Sequence, residues 1–457
     1  MIYGTVCSPA CGDAPERQSP LVGPAVPASE SATDALFCVG ISHRTAPIAL
    51  RERLYLDAPR MAALLSRFAA QRHGAVPGRS GELVVLSTCN RLELYALGAA
   101  RETDLAQLIV ESTGVSASEL APALYQCHGT AVVRHLARVA AGLESMVVGE
   151  PQILEQVAEA YSAALAHGAA AHGLESLFRS AVCAGRRVRS ETGIGRRAAT
   201  VSSIAVRVAS DVVSDLAAAS ALVIGAGEMG EHALAALHDR GIRDLCVVSR
   251  TRARAERVAS RVGGRTISLD GLPAALTMAD VVLCAAAVPQ PIVTREMVAT
   301  VMESRPARPL LLLDVGVPRN VEAAVGTIPF VRCYDLDELH GAAAEGRMSP
   351  LEEHPRAEAI VETETERCVA AIRRLHVQPL IAEWRAQVDG IRDTLLTTTL
   401  HRFAHLSDAD RASLEAFSHA LVKRILHTPT ARLRTAAECG QSAGYALAMR
   451  HLFGLDA

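Results

Sequence analysis

The stretch that decides the fold is ALVIGAGEMGEHALAALHDRG, Ala221 to Gly241. Ala221–Gly225 is an apolar run of strand length. Gly225-Ala226-Gly227-Glu228-Met229-Gly230 is a G-x-G-x-x-G loop, and His232–Gly241 has helical spacing and ends in glycine. The glycine pattern alone is weak, but a strand before it and a helix after it make it specific for a dinucleotide. The first glycine permits the tight turn, the second lets a pyrophosphate reach the backbone, and the third lets helix pack on strand. The helix N-terminus then faces the phosphates.

Moving outward from this loop, DLCVVS (244–249), DVVLCA (280–285) and LLLLDVG (310–316) are further short apolar runs separated by helical stretches. That alternation predicts a doubly wound parallel sheet of Rossmann type. After the second strand an NAD site usually carries an acid roughly 20 residues beyond the glycines. Here the chain reads Ser249-Arg250-Thr251-Arg252. Small hydroxyls and arginines suit a 2′-phosphate, so NADPH is the expected cofactor. Asp314 and Asp335 close apolar runs; helix capping explains them as well as a ligand does, and neither is assigned a role.

Upstream, LFCVGIS (36–42), GELVVLS (81–87) and LELYAL (92–97) read as strands. RERLYLDAPRMAALLSRFAA (51–70) lies between them with helical spacing, interrupted near Pro59. This is an α+β pattern. Residues from Thr130 to about Ser210 are almost all helical, and so is the chain after about Pro350. The expected organisation is an extension at 1–35 that reads as disordered, an N-terminal α+β catalytic domain at 36–190, a connector helix and Rossmann-type domain at 191–345, and a helical domain at 346–457.

Composition narrows the chemistry. The 457 residues carry a formal net charge of −3, and only 3% are aromatic, so the core must be aliphatic and no basic field covers the whole chain. Lys423 is the sole lysine among 46 basic residues. That disfavours Schiff-base chemistry and a Gly-Lys-Ser/Thr phosphate loop. The eleven cysteines include no C-x-x-C pair, which argues against a disulfide framework and a thiolate metal site. No secretory signal and no run long enough to span a bilayer is read, so a cytoplasmic protein with no membrane contact and no metal is expected.

Cys38, Cys246 and Cys284 lie in apolar runs and read as core. Cys89 stands just past a strand, in Ser87-Thr88-Cys89-Asn90-Arg91. Donors from Asn90 and the charge of Arg91 would lower its pKa toward thiolate, while a buried inert cysteine is the other reading of the same residues. His128 is a candidate acid or base. Ser145, and Glu150-Pro151-Gln152 with Gln156, form a polar run at a helix start with Pro151 at its first position. Arg186, Arg187, Arg189, Arg196 and Arg197 form a basic cluster that suits phosphates as well as it suits a solvated helix face.

Together, GISHRTAPIALRERL (40–54), LSTCNRLELY (86–95), GLESMVVGEPQILEQV (142–157), ETGIGRRAATVSSIAV (191–206), VIGAGEMG (223–230), LLLDVGVPRNVE (311–322) and HTPTARLR (427–434) resemble the glutamyl-tRNA reductase family, in that family's order. The resemblance implies an N-terminal catalytic domain, a long spinal helix, a Rossmann-type NADPH domain and a C-terminal helical dimerisation domain, in a homodimer. It implies Cys89 as nucleophile, His128 as the histidine needed for activity, and contacts to the glutamyl group from Thr88, Asn90, Arg91, Ser145, Glu150, Pro151, Gln152 and Gln156. NADPH would sit on Gly225, Ala226, Gly227, Glu228, Met229 and Gly230, with Ser249 and Arg250 beside it.

The implied reaction is reduction of glutamyl-tRNA to glutamate-1-semialdehyde through a cysteinyl thioester, the first committed step of the C5 route to 5-aminolevulinate and tetrapyrroles. A complex with glutamate-1-semialdehyde aminomutase is a further implication. Two other readings stay open at this point. One is a shikimate-dehydrogenase-like NADP oxidoreductase without covalent catalysis, which would be expected to need a lysine. The other is a non-enzymatic dinucleotide-sensing regulator, which would not need Cys89.

Overall fold

The structure is a computed structural model. It describes residues 33–73, 81–98, 102–194, 200–213, 215–305, 308–345, 353–403 and 405–455. The extension at 1–32, and Arg196 and Arg197 of the basic cluster, lie outside the described residues.

Four strands form the first sheet: β1 (Leu36–Ser42), β2 (Glu82–Ser87), β3 (Arg91–Leu97) and β4 (Tyr125–His128), in the order β2-β3-β1-β4. Every pairing in it is antiparallel. The helical stretch interrupted near Pro59 resolves into two helices, Ile48–Leu54 and Ala58–His73. The second sheet contains β5 (Ser220–Ile224), β6 (Asp244–Val248), β7 (Arg265–Ile267), β8 (Val281–Cys284), β9 (Leu310–Asp314) and β10 (Val331–Tyr334). Its order is β10-β9-β8-β5-β6-β7, all parallel. The chain begins in the middle at β5, winds out to β7, and crosses to β8. The crevice between β5 and β8 at the strands' carboxyl ends is where such sheets bind ligands.

With few aromatics, the core is built from Ala, Val, Leu and Ile. Both faces of the parallel sheet are covered, one by a cluster that includes Val223, Val247 and Leu313, the other by one that includes Ile224, Val248 and Leu312. Cys38, Cys246 and Cys284 are buried.

The long helices stand after the Rossmann sheet. His354–His376 packs on the helices Thr130–Ala140 and His172–Glu191, and Cys368, Val369 and Ile372 enter the core of the first domain. Gly185 lets the two earlier helices approach closely: a Cβ there would lie 2.5 Å from the carbonyl oxygen of Ala140. The region read as one separate helical domain from 346 therefore opens with a helix that completes the catalytic domain. Gln378–Arg402, Asp408–Glu438 and Ser442–Phe453 then pack around Trp384, Leu426 and Leu433. No described helix is long and apolar enough to cross a membrane.

Candidate active site

Strand β2 ends at Ser87 and β3 starts at Arg91, so Thr88, Cys89 and Asn90 form a short hairpin loop. The loop is tied at every corner. Thr88 N donates to the Arg91 carbonyl (2.8 Å), Asn90 N to Thr88 Oγ1 (3.2 Å), and His43 N to the Asn90 carbonyl (2.8 Å). Arg51, on Ile48–Leu54, donates from Nη1 to the Cys89 carbonyl at 3.0 Å and to Asn90 Oδ1 at 2.9 Å. Cys89 is half-buried and packs against the apolar cluster of the parallel sheet.

A cleft of about 330 Å³ runs between the two sheets, within the volume range usual for small-molecule sites. Thr88, Cys89, Gln152 and Gln156 line one wall, and Glu228 and Met229 of the glycine loop line the other. Ala285–Ala287 after β8 and Val315–Val317 after β9 close it. The nucleophile loop and the dinucleotide loop, about 140 residues apart in the chain, thus share one cleft.

The glycine loop has the shape a dinucleotide needs. Gly225 has φ +109°, and a Cβ there would lie 2.6 Å from the Ala285 carbonyl oxygen. A Cβ on Gly230 would come within 2.1 Å of the Gly225 carbonyl oxygen. A Cβ on Gly227 would meet nothing within 4 Å. Two glycines therefore serve packing, and the third opens backbone to a ligand. Gly227 is also the N-cap of Glu228–Asp239 and supplies no side-chain cap, leaving that end's N–H groups for phosphates. The residues present fit a dinucleotide.

Ser249 and Arg250 follow β6. Ser249 Oγ accepts from Thr251 N (3.4 Å), and Arg250 reaches the Ala287 carbonyl (3.1 Å) while remaining exposed. Arg252 is paired with Glu256 at 2.7 Å. Asp335 accepts from Asp337 N and Glu338 N and so starts the next helix. Asp314 accepts from Gly316, Asn320 and Val321 N at 3.0, 2.7 and 2.8 Å. Burial pushes its carboxyl up to about 7, but three converging N–H donors fit the ionised form. Asn320 in turn bonds Ala286 N and O, so Asp314 shapes the loops that close the cleft.

Several expected site residues sit differently from the sequence reading. The Cys89 thiol is pushed up to about 12, first by burial and next by the nearby Glu150 carboxylate, against the smaller opposing pull of Arg51 and Arg91. Arg91 is not an unpaired charge beside Cys89: it is buried, ion-paired with Glu93 at 2.7 Å, and also donates to the Glu144 carbonyl. His128 stands at the wrong end of the sheet. It pairs with Phe37 at one end of β1, while Arg91 pairs with Ser42 at the other. Five residues along a strand is about 17 Å. His128 packs its ring on Phe37, with centroids 5.4 Å apart.

The histidine that does join the polar centre is His135, whose Nε2 lies 3.0 Å from Glu93 Oε1. Tyr95 and Tyr125 also donate to Glu93. Arg91, Glu93 and Tyr95 alternate along β3 and share a face. That alternation of polar groups in a buried strand was a signal available in the sequence. His43, beside Asn90, is pushed down to about 3, mainly by burial and then by Arg91, and is neutral.

Glu150 and Ser145 are buried, Gln152 and Gln156 are half-buried, and Pro151 is exposed. Pro151 is the N-cap of Gln152–Ala166 and not its first residue. Ser145 follows the Glu144 carbonyl that Arg91 holds. Glu150 carries the most useful shift: burial raises its carboxyl to about 7, against Arg189 and Arg91. Arg189 donates to the Pro151 and Glu150 carbonyls at 2.8 and 2.7 Å, and Arg187 is paired with Glu191 and Glu364. Arg187 and Arg189, two of the five arginines in the basic cluster, thus have structural partners. Arg186 is exposed.

A Rossmann sheet facing a thiol-bearing hairpin across one cleft defines a dinucleotide-linked oxidoreductase. The comparisons narrow it. The family model "Glutamyl-tRNAGlu reductase, N-terminal domain" matches residues 39–192, the "dimerisation domain" of the same family matches 356–455, and "Shikimate / quinate 5-dehydrogenase" matches 207–342. Glutamyl-tRNA reductases of Syntrophotalea carbinolica and Myxococcus xanthus are each 37% identical over 421 residues, 92% of this chain and 94% of theirs. The solved glutamyl-tRNA reductase of Methanopyrus kandleri is 31% identical, with a TM-score of 0.51 over 93% of this chain and all of that one. The chain belongs to the glutamyl-tRNA reductase family. The shikimate / quinate dehydrogenase match falls on the dinucleotide domain.

Proposed function

We propose that the protein reduces the glutamyl group of L-glutamyl-tRNA to glutamate-1-semialdehyde with NADPH. The observation that carries this reading is the shared cleft: Cys89 on one wall, Glu228 and Met229 of the glycine loop on the other. The ester linking an amino acid to tRNA is already activated, so a thiol can displace the ribose oxygen.

Cys89 and Glu150 handle the first proton together. A charged Glu150 raises the Cys89 pKa, so the thiol ionises more readily once this carboxylate is neutral. Transfer of the thiol proton to Glu150 leaves the net charge unchanged and creates the nucleophile. The thiolate attacks the ester carbonyl carbon, the S–C bond forms, the ester C–O bond breaks, and the ribose oxygen takes the proton back from Glu150. When bound, NADPH supplies a hydride. Reduction at the thioester carbonyl breaks the C–S bond and returns Cys89 as thiolate, releasing the aldehyde. Thr88, Asn90, Gln152 and Gln156 hold the glutamyl group, and Arg91, at the base of the hairpin, is assigned its side-chain carboxylate. His128 has no place in this scheme.

NADPH over NADH is supported by Ser249, Arg250 and the absence of an acid after β6. The homodimer is assigned to the matched dimerisation domain. Hand-over of the reactive aldehyde to an aminomutase, in the cytoplasm, completes the proposal.

Incubation with glutamyl-tRNA and NADPH tests it. Semialdehyde should form as NADPH is oxidised, and Cys89→Ser should lose at least about a thousandfold in rate. Without NADPH, the wild type should slowly deacylate glutamyl-tRNA and the variant should not. Full activity in Cys89→Ser would overturn the thioester.

A further inference from the structure

The two domains meet through a small set of polar contacts gathered around the nucleophile loop. Asp337 lies at the start of Leu336–Glu345, the last helix of the dinucleotide domain. Its Oδ2 accepts from Ile48 N at 2.9 Å, and its Oδ1 pairs with Arg51 Nη2. The helix Ile48–Leu54 begins after Pro47, which offers no side-chain cap. An acid some 290 residues away fills that role from the other domain. The Arg51 side chain is 2% exposed, and its other η nitrogen holds the Cys89 carbonyl and Asn90 Oδ1. One guanidinium therefore bridges the dinucleotide domain and the backbone of the nucleophile.

Three more contacts flank this bridge. Arg319, in the loop after β9, donates from N and Nε to Glu52 Oε1 at 2.6 and 2.9 Å. His340 on Leu336–Glu345 meets His43 edge-on with ring centroids 5.8 Å apart. Ile48, Met146 and Val147 join the apolar cluster of the parallel sheet, and Cys89 packs against it. Glu52 and Arg319 thus hold the side of the cleft closed by Val315–Val317, and Asp337 holds the side of the loop backbone.

We propose that Asp337 is a positioning residue that seats the dinucleotide domain on the Cys89 loop through Arg51, so that reduction of the acyl group, and not its transfer to Cys89, depends on this contact. The claim rests on the thioester reading above. Acyl transfer needs Cys89, Glu150 and the glutamyl contacts, all in the N-terminal domain. Reduction needs the opposite wall of the cleft at the right gap, and Asp337 is among the residues that set it. Loss of the Asp337 carboxylate leaves Arg51 with its two bonds to the loop, so the nucleophile keeps its local support. The partner wall loses one of its anchors, the one joined to the loop backbone.

The test uses Asp337→Asn in the full-length protein, with three readouts. In the absence of cofactor, iodoacetamide labelling of Cys89, followed by mass spectrometry of its peptide, should be about fivefold faster or more, because the opposite wall opens. Acyl transfer from glutamyl-tRNA without NADPH, read as a glutamyl adduct on Cys89, should stay within about twofold of wild type. Semialdehyde formation with NADPH should fall about tenfold or more, with the difference appearing as free glutamate as water cleaves the waiting thioester. Asp337→Glu, which keeps the carboxylate, should recover part of the loss. Glu52→Gln, which breaks the flanking contact to Arg319, should shift the same ratio in the same direction and serves if Asp337→Asn does not fold. Wild-type labelling and wild-type product ratio in both variants would overturn the proposal, as would equal loss of both steps. Failure of the wild type itself to acylate Cys89 would instead refute the thioester reading, which separates the two claims.

Discussion

At the scale of single residues, the site is governed by burial more than by neighbouring charge. Arg91 lies two residues from Cys89, yet its charge is answered by Glu93 inside the sheet. A buried ion pair of this kind is strongly destabilised by removal of one partner, because the other charge is left in a low dielectric. Arg91 is therefore committed to the fold of the hairpin as well as to any substrate. Cys89 rests as a thiol, and the group proposed to take its proton is Glu150, whose own burial raises its carboxyl to about 7. A base acts only when deprotonated, so acyl transfer should accelerate as pH rises through about 7. Glu150→Gln should slow it by about a hundredfold and remove that rising limb. Rates of deacylation measured across pH without NADPH check both; an unchanged profile in the variant would exclude Glu150 as the base.

At the scale of elements, the βα turn at Gly225–Gly230 separates structural glycines from the one that admits a ligand. Gly230→Ala would press a methyl onto the Gly225 carbonyl, 2.1 Å away, and should lower the melting temperature by several degrees. Gly227→Val meets no protein atom at its Cβ and should leave the melting temperature near wild type. The same change puts a branched side chain where the phosphates would lie, so NADPH affinity should fall about tenfold or more. Thermal unfolding and cofactor titration of the two variants give opposite patterns if the loop works this way. The hairpin β2–β3 is the matching element on the other wall. Its loop was legible from the sequence because a strand stops at Ser87 and another resumes within a few residues. The role of Glu93 was not read, although it alternates with Arg91 and Tyr95 on one buried face.

At the scale of the whole molecule, the C-terminal helices leave apolar surface uncovered. Ile391 and Leu395 lie one turn apart, as do Phe417, Leu421 and Ile425, and all are 48% exposed or more. Stripes at this spacing are suited to burial against another helix, and they fall within residues 356–455, matched by the family's dimerisation domain. Phe417→Glu with Leu421→Glu should convert a dimer to a monomer, read by light scattering as a halving of mass. The catalytic cleft should survive, since its walls lie in the first two domains. The earlier helix, His354–His376, is of a different kind: Cys368, Val369 and Ile372 on it enter the core of the catalytic domain.

The sequence by itself determined the parallel sheet, the glycine loop, the hairpin with Cys89 and the run from Ser145 to Gln156. These are local patterns of strand, turn and helix, and their chemistry is written within a few residues. What only the tertiary structure decided is which groups meet across distance. The linear reading names His128; strand register places it beside Phe37, and it is His135 that helix packing brings to Glu93. In a linear reading Arg187 and Arg189 suit phosphates and a solvated helix face equally; the fold places Glu364 and the Pro151 carbonyl beside them. Arg51 and Asp337 are separated by 286 residues, and no periodicity links them. Periodicity encodes which side of an element is buried, but a buried charge takes its partner from whichever element the fold packs against it.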